Sequence, residues 1–126
     1  MTRILVVDDE LTMREYVSRI LSRAGHEMDE AENGHEAIRQ FKQRPADLAI
    51  VDIIMPVMDG VETIRQLRLL DRGLKIIAMS GAGTRLSEKM LEIAERLGAN
   101  LIMRKPFSPE ELIEQVNGIL QVESAE

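Results

Sequence analysis

Short apolar runs alternate with longer amphipathic stretches along the whole chain, and this alternation restricts the possible folds more than any other feature. The mainly apolar runs lie at 3–7, 48–51, 75–79 and 100–103, and a more polar run lies at 27–31. The amphipathic stretches predict helices at about 12–24, 34–43, 60–70, 86–97 and 108–121. Five repeats of strand then helix predict an α/β domain, with a parallel sheet, right-handed crossovers and helices on both faces.

Helix ends carry the residues that such ends favour. Gly25, Gly73 and Gly98 follow the first, third and fourth predicted helices, as glycines beyond a helix C-terminus do. Ser108 stands before Pro109-Glu110-Glu111, which predicts an N-cap, a proline at the first helical position and a capping box. These signals support the helix boundaries that the periodicity predicts.

Two helices carry side-chain patterns that predict which face is buried. In the fourth helix, a stripe at helical spacing is expected to hold the helix to the core: Leu86, Met90, Ile93 and Leu97. In the third helix, three charged residues predict a solvated face: Glu62, Arg65 and Arg68.

Size and composition exclude several classes of protein. The chain has 126 residues, which suits one domain. Its formal net charge of −6 argues against direct nucleic-acid binding, which needs a basic patch. Cysteine is absent, so no disulfide frame or thiolate metal site is expected. Neither a membrane-spanning run nor a secretory signal is evident, so no membrane partner is predicted and the cytoplasm is the expected location.

Chemically active side chains stand at the ends of four predicted strands. Asp8 and Asp9 follow the first strand, Asp52 the third, Ser80 the fourth and Lys105 the fifth. Because the carboxyl ends of parallel strands meet at one edge of a sheet, these groups are expected to share a pocket. Three carboxylates that lie close together favour a cation, and oxygen ligands suit Mg²⁺. A divalent ion, an ammonium and a hydroxyl together are what a transferred phosphoryl group needs.

Each of these residues also has a simpler interpretation. Asp9 or Thr12 could cap the first helix. Lys105 could pair with Asp52 as a buried ion pair, and Ser80 could belong to an ordinary turn. The positions of all of them at strand ends favour a functional site.

Three segments carry a resemblance to a known family. They are Ile4-Leu5-Val6-Val7-Asp8-Asp9-Glu10, the loop 52–60 with its pattern D-x-x-M-P-x-M-D-G, and Lys105-Pro106-Phe107. With these motifs, over essentially its whole length, the chain resembles a stand-alone response-regulator receiver domain. The resemblance implies a flavodoxin-like, doubly wound fold with five helices and a five-stranded parallel sheet in the order 2-1-3-4-5. It implies a receiver domain at 1–121, followed by a polar tail at 122–126.

The resemblance also implies a role for each site residue. Asp52 would accept a phosphoryl group from a sensor histidine kinase or a histidine phosphotransfer protein. Asp9, Asp52 and the backbone carbonyl of Ile54 would bind Mg²⁺, with Asp8 acting partly through water. Lys105 and Ser80 would contact phosphoryl oxygens, and the Lys105–Pro106 peptide would be cis. Such a protein is a switch that catalyses only its own phosphorylation and dephosphorylation, not the turnover of an external substrate.

Two features depart from the family pattern. The position three residues before the lysine, where the family usually carries an aromatic, is Ile102. The segment 81–84 is rich in glycine, which lowers the cost of backbone change. The resemblance implies that a downstream protein would bind at the face of the fourth helix, fifth strand and fifth helix. Without the aromatic, a shift of the fourth helix is the expected switch.

Other functions remain open at this point. A phosphorelay intermediate or a phosphate sink would use the same residues. A flavin mononucleotide-binding protein of similar topology could use the glycine-rich loop at 80–84, but the sequence lacks aromatics to sandwich a flavin. A phosphatase of the haloacid-dehalogenase type would need a second Asp where Ile54 stands.

Overall fold

A computed structural model of the chain describes residues 2–55, 58–81 and 83–124. Five strands alternate with five helices in this part of the chain. The strands are β1 (Arg3–Val7), β2 (Glu27–Ala31), β3 (Leu48–Asp52), β4 (Lys75–Ser80) and β5 (Leu101–Arg104). The helices are α1 (Leu11–Arg23), α2 (Gly34–Gln43), α3 (Gly60–Leu70), α4 (Arg85–Arg96) and α5 (Pro109–Ser124). Each lies within three residues of its predicted bounds.

All five strands form one parallel sheet in the order β2-β1-β3-β4-β5, as predicted. The polar strand β2 lies at an edge, where half of its side chains can face water. The central strand β3 is buried along its whole length because helices cover both of its faces. The chain reverses its direction of winding between β1 and β3, so the carboxyl ends of these strands border the crevice in which such folds bind ligands.

The core has two halves, one on each face of the sheet. On one face, Ile4 and Val6 pack with side chains of α1 and α5. On the other, Leu5 and Val7 pack with side chains of α2, α3 and α4. This alternation follows from the two-residue period of a strand. The same alternation determines on which side of the sheet the side chain of each site residue near a strand end lies.

Most predicted helix ends are confirmed. The Ser108 hydroxyl accepts from the Glu111 amide at 3.1 Å, and the Glu111 carboxylate accepts from the Ser108 amide at 3.4 Å, which closes the predicted capping box. Gly25 and Gly98 adopt φ angles of 100° and 115°, the left-handed region that favours glycine. Gly73 does not, because Asp71 ends α3 and its carboxylate accepts from the Gly73 amide.

The predicted core stripe of α4 is half right. Met90 and Leu97 are partly buried and pack against the core, whereas Leu86 and Ile93 are 65% and 44% exposed. The buried residues of the helix are Ser87, Leu91 and Ala94. The start of the helix sets this phase, since the Thr84 hydroxyl caps the Ser87 amide and the Ser87 hydroxyl bonds back to the Thr84 amide. Ser87 is thereby fixed at the core side, and residues four and seven positions later follow it inward.

Two further predictions need correction. Helix α5 continues to Ser124, beyond the predicted end at 121, because neither glycine nor proline occurs in the segment 121–124. Arg68 does not belong to a solvated face. Its guanidinium donates at 2.6–3.2 Å to four backbone carbonyls, those of Asp71, Arg72, Leu74 and Gly98. Burial lowers the pKa of Arg68, and the residue joins the end of α3 to the turns before β4 and β5.

Candidate functional site

The three aspartates converge at the carboxyl edge of the sheet. One carboxylate oxygen from each of Asp8, Asp9 and Asp52 lies within 4.8 Å of the other two. Asp8 and Asp52 are buried, whereas Asp9 is exposed at the mouth of the site. Three anions at this separation repel one another strongly unless a positive charge lies among them.

Asp52 is the last residue of β3, and the chain behind it is closely packed. A Cβ on Gly60 would lie 2.1 Å from the Asp52 carbonyl oxygen, so only glycine fits there. The Gly60 amide donates to the Ile53 carbonyl at 3.1 Å, which folds the end of the 52–60 loop back against the strand. Pro56 and Val57, which belong to the motif in this loop, lie outside the described residues.

Lys105 supplies the positive charge within the cluster. Its ammonium nitrogen lies 3.0 Å from Oδ2 of Asp8 and 3.6 Å from Oδ2 of Asp52. The Lys105–Pro106 peptide is cis, as the resemblance implied. Burial lowers the pKa of Lys105, but the charge of Asp52 and the hydrogen bond to Asp8 outweigh burial and raise it, so the side chain remains an ammonium.

The carboxyl group of Asp52 is held in an environment that disfavours its charge. Its pKa is raised from 3.8 to about 6, and burial is the largest cause of this rise. The charges of Asp8 and Asp9 contribute to the rise, while the Lys105 ammonium and the Ile54 amide, which donates to Oδ1 at 3.4 Å, act in the opposite direction. At neutral pH the group is therefore mainly a carboxylate, and an added cation would stabilise it further.

Ser80 ends β4 beside this cluster. It is 4% exposed, and its hydroxyl has no hydrogen-bond partner among the described residues. Its carbonyl accepts from the Lys105 amide at 2.7 Å, which joins the two residues across the sheet. A cavity of about 90 Å³ opens next to it, lined by Ser80, Gly81, Gly83, Glu88, Arg104 and Lys105. A buried hydroxyl without a partner costs stability, and an oxygen atom brought to this place would recover it.

Helix capping does not explain the acidic pair after β1. Glu10 is the N-cap residue of α1, and no side chain caps this end, so neither Asp9 nor Thr12 has that role. Oδ1 of Asp8 instead accepts from the Glu10 amide at 2.9 Å, and Arg14 donates to the Asp8 carbonyl at 2.8 Å. The carboxylate of Asp8 is thus fixed on one side by the backbone and on the other by Lys105.

The sequence prediction missed two arginines next to the site. Arg14 holds the backbone of Asp8, and Arg104, directly before Lys105, forms an ion pair with Glu88 of α4. Arg104 adjoins Lys105 in the sequence, but Arg14 is six residues after Asp8 and had no such signal. Sequence position does not reveal which partner an arginine will find.

The family model described as the response regulator receiver domain matches residues 4–117. This chain belongs to that family. The receiver domain is a phosphoacceptor signalling switch of two-component systems, and the match favours this function over a flavin-binding one.

Among the described residues, no helix is long and apolar enough to cross a membrane.

Relatives of this receiver domain include chemotaxis proteins. CheY of Thermotoga maritima is 36% identical over 118 residues, which cover 93% of this chain and 96% of that protein. CheY of Bacillus subtilis is also 36% identical, with 94% of this chain and 97% of that protein covered.

Solved structures agree with the fold. CheY4 of Vibrio cholerae superposes with a TM-score of 0.85 at 30% identity, covering 94% of this chain and 98% of that one. NtrX of Brucella abortus gives a TM-score of 0.91 at 29% identity, covering 98% of this chain but only 28% of the NtrX chain. The receiver domain therefore occurs both as nearly a whole protein and as a part of longer ones.

Proposed function

We propose that Asp52 of this receiver domain accepts a phosphoryl group from a sensor histidine kinase or a histidine phosphotransfer protein. The observation that carries the proposal is the position of Asp52, a buried carboxylate between the Lys105 ammonium at 3.6 Å and two further aspartates. A phosphoryl group on this residue would lie within the convergent charges of the site, which is the environment that phosphoryl transfer requires.

The donor set of the site fits Mg²⁺. Carboxylate oxygens from three aspartates converge within 4.8 Å, and one ammonium does not balance three negative charges. Asp9, Asp52 and the Ile54 carbonyl would hold the ion directly, and Asp8 would act partly through water. When bound, the ion neutralises charge that develops on the phosphoryl oxygens.

The residues of the chain then divide the work. An oxygen of Asp52 attacks phosphorus in line, so a P–O bond forms while the P–N bond to the donor histidine breaks and the electron pair leaves with the imidazole. Lys105 neutralises one phosphoryl oxygen, and the Ser80 hydroxyl donates to another. The product is an acyl phosphate, which water later hydrolyses to restore the carboxylate. The domain thus catalyses only its own modification.

The proposed output is binding of a downstream protein at the face of α4, β5 and α5. Ser80 leads into the 81–84 loop and α4, so a phosphoryl group that attracts its hydroxyl would act on this helix first. Ala82 within this loop lies outside the described residues. The receiver unit is proposed to span 1–121, with α5 continuing past this boundary, and direct contact with nucleic acid is not part of the proposal.

Mass spectrometry tests the acceptor. Incubation with Mg²⁺ and acetyl phosphate is expected to add one phosphoryl mass to the parent and none to Asp52→Asn. Asp71→Asn is the control, since Asp71 lies at the opposite edge of the sheet and bonds only within its own turn through Oδ1. Undiminished labelling of Asp52→Asn would refute the assignment.

Amide exchange with and without beryllofluoride tests the switch. Changes are expected to concentrate in residues 80–98 and near 102–107, around the proposed output face. Changes confined to Asp8, Asp9 and the 52–60 loop would contradict a switch and favour a phosphorelay intermediate or a phosphate sink.

A further inference from the structure

An ion pair joins the beginning of α4 to the end of β5. Arg104 donates from Nε to Oε2 of Glu88 at 3.1 Å and from Nη2 to Oε1 at 2.7 Å. Two parallel hydrogen bonds of this kind fix both the distance and the orientation of the two elements. The side chains are 61% and 46% exposed, so this is a surface contact rather than part of the core.

The pair stands at one end of the loop that connects Ser80 with α4. At the other end, the Lys105 amide donates to the Ser80 carbonyl at 2.7 Å. Neighbouring residues of the β5 end, Arg104 and Lys105, therefore hold both ends of this loop. A displacement of α4 away from the β5 end would break the bonds between Glu88 and Arg104.

Movement is nevertheless what the proposed switch requires. The Ser80 hydroxyl has no partner in this conformation, and Glu88 and Arg104 line the same small cavity as Ser80 and Lys105. When a phosphoryl oxygen attracts the hydroxyl towards Asp52, the following loop is drawn in the same direction. The first turn of α4, which the Thr84–Ser87 capping box makes continuous with the loop, must then move relative to Arg104.

We infer that the Glu88–Arg104 pair holds α4 in its unphosphorylated position and sets the threshold for switching. This inference rests on the proposed function. Ile102, on the same face of β5, has no polar atom to bond to α4, whereas Arg104 does. The pair favours only one of the two positions of the helix, so its strength determines how the population divides between them.

Beryllofluoride binding measures the effect. Glu88→Gln and Arg104→Gln should each bind beryllofluoride in the presence of Mg²⁺ about two- to fivefold more tightly than the parent, which is the contribution of an exposed pair. The double variant should gain no more than either single variant, because the same interaction is lost in each. Titration with beryllofluoride, followed through the amide signals in NMR spectra, gives the affinities. Without ligand, amide hydrogen exchange at the start of α4 should be faster in the variants than in the parent.

The Glu62–Arg65 pair of α3 supplies a matched control. It is similarly exposed and has a hydrogen bond of 3.0 Å, but it lies within one helix. Glu62→Gln and Arg65→Gln should leave beryllofluoride affinity unchanged. Thermal unfolding of every variant shows whether a change in affinity comes from a change in overall stability.

Three results would overturn the inference. Unchanged affinity in both single variants would show that the pair does not oppose switching. Tighter binding by Glu88→Gln with weaker binding by Arg104→Gln would show that Arg104 contacts the phosphoryl group instead. Gains that add in the double variant would show that the residues act separately. If the parent itself binds no beryllofluoride, or if Asp52→Asn binds it equally well, the proposed function fails first.

Discussion

The ammonium of Lys105 lies 3.0 Å from the carboxylate of Asp8, whose side chain is completely buried. Lys105 is therefore nearer to this neighbour than to Asp52, the proposed acceptor. Without a metal ion, the ammonium of Lys105 is the positive charge that reduces the repulsion among the three aspartates. It has one role in the resting protein and a second, towards the phosphoryl group, in the proposed reaction.

Removing this ammonium should destabilise the resting protein. Lys105→Met leaves a buried carboxylate unpaired, so the free energy of unfolding at pH 7 without metal should fall by about 3 kcal/mol. Mg²⁺ should recover part of this loss by replacing the missing charge. Urea unfolding with and without Mg²⁺ measures both effects, and Lys89→Met, at an exposed site, is the control. Equal stability of Lys105→Met and the parent would contradict the role assigned to the ammonium.

Replacing Asp52 by Asn should stabilise the metal-free protein in a pH-dependent way. The pKa of Asp52 is raised to about 6 from 3.8, mainly by burial, so between these values the folded state binds more protons than the unfolded one. Stability attributable to this carboxyl group therefore falls as pH rises through this window. The free energy of unfolding of Asp52→Asn should exceed that of the parent by more at pH 7.5 than at pH 4.5. The increase should be on the order of 1–2 kcal/mol, after allowance for solvent screening. A constant difference would argue against the raised pKa.

Magnesium affinity should depend on Asp9. This exposed carboxylate lies with Asp8 and Asp52 but makes no ion pair with Lys105, so it is the most available ligand. Asp9→Ala should weaken Mg²⁺ binding by at least about tenfold, as measured by amide shifts in an NMR titration. Glu10→Gln, which removes an adjacent exposed charge, should have a much smaller effect. Equal affinities for Asp9→Ala and the parent would exclude Asp9 as a ligand.

Arg68 should matter for stability and not for the site. Arg68→Ala leaves four carbonyls without their charged donor and should lower the free energy of unfolding by about 2 kcal/mol. Arg65→Ala, one turn earlier on the exposed face, should change it by no more than about 0.5 kcal/mol. Beryllofluoride affinity should be the same in both variants, and a selective loss in Arg68→Ala would mean that Arg68 also influences the phosphorylation site.

The sequence was sufficient to predict the fold and the meeting of the site residues. The apolar runs located the strands, and the parallel sheet then required Asp8, Asp52 and Lys105 to converge. Which aspartate lies nearer to the lysine depends on side-chain rotamers and backbone hydrogen bonds, such as that from Glu10 to Asp8. Sequence position alone does not determine these.

Hydropathy failed where small or polar residues face inward. In α4 the core side is made by Ser87 and Ala94 with Leu91, while the bulkier Leu86 and Ile93 face outward. The capping box determines this phase, and a count of apolar residues does not detect it. Arg68 is the opposite case, since a charged residue is partly buried because it donates to carbonyls at the ends of neighbouring elements, such as those of Leu74 and Gly98.

The hydrogen bond between the Lys105 amide and the Ser80 carbonyl has a consequence for engineering. Adjacent strands of a sheet are roughly 4.8 Å apart, so the sheet sets the distance between the backbones of the two residues proposed to contact the phosphoryl oxygens. This backbone distance does not depend on which side chains the two positions carry. A different hydrogen-bonding group at position 80 could therefore be used to adjust how long a signal persists without rebuilding the domain, whereas position 105 must keep the ammonium that pairs with Asp8.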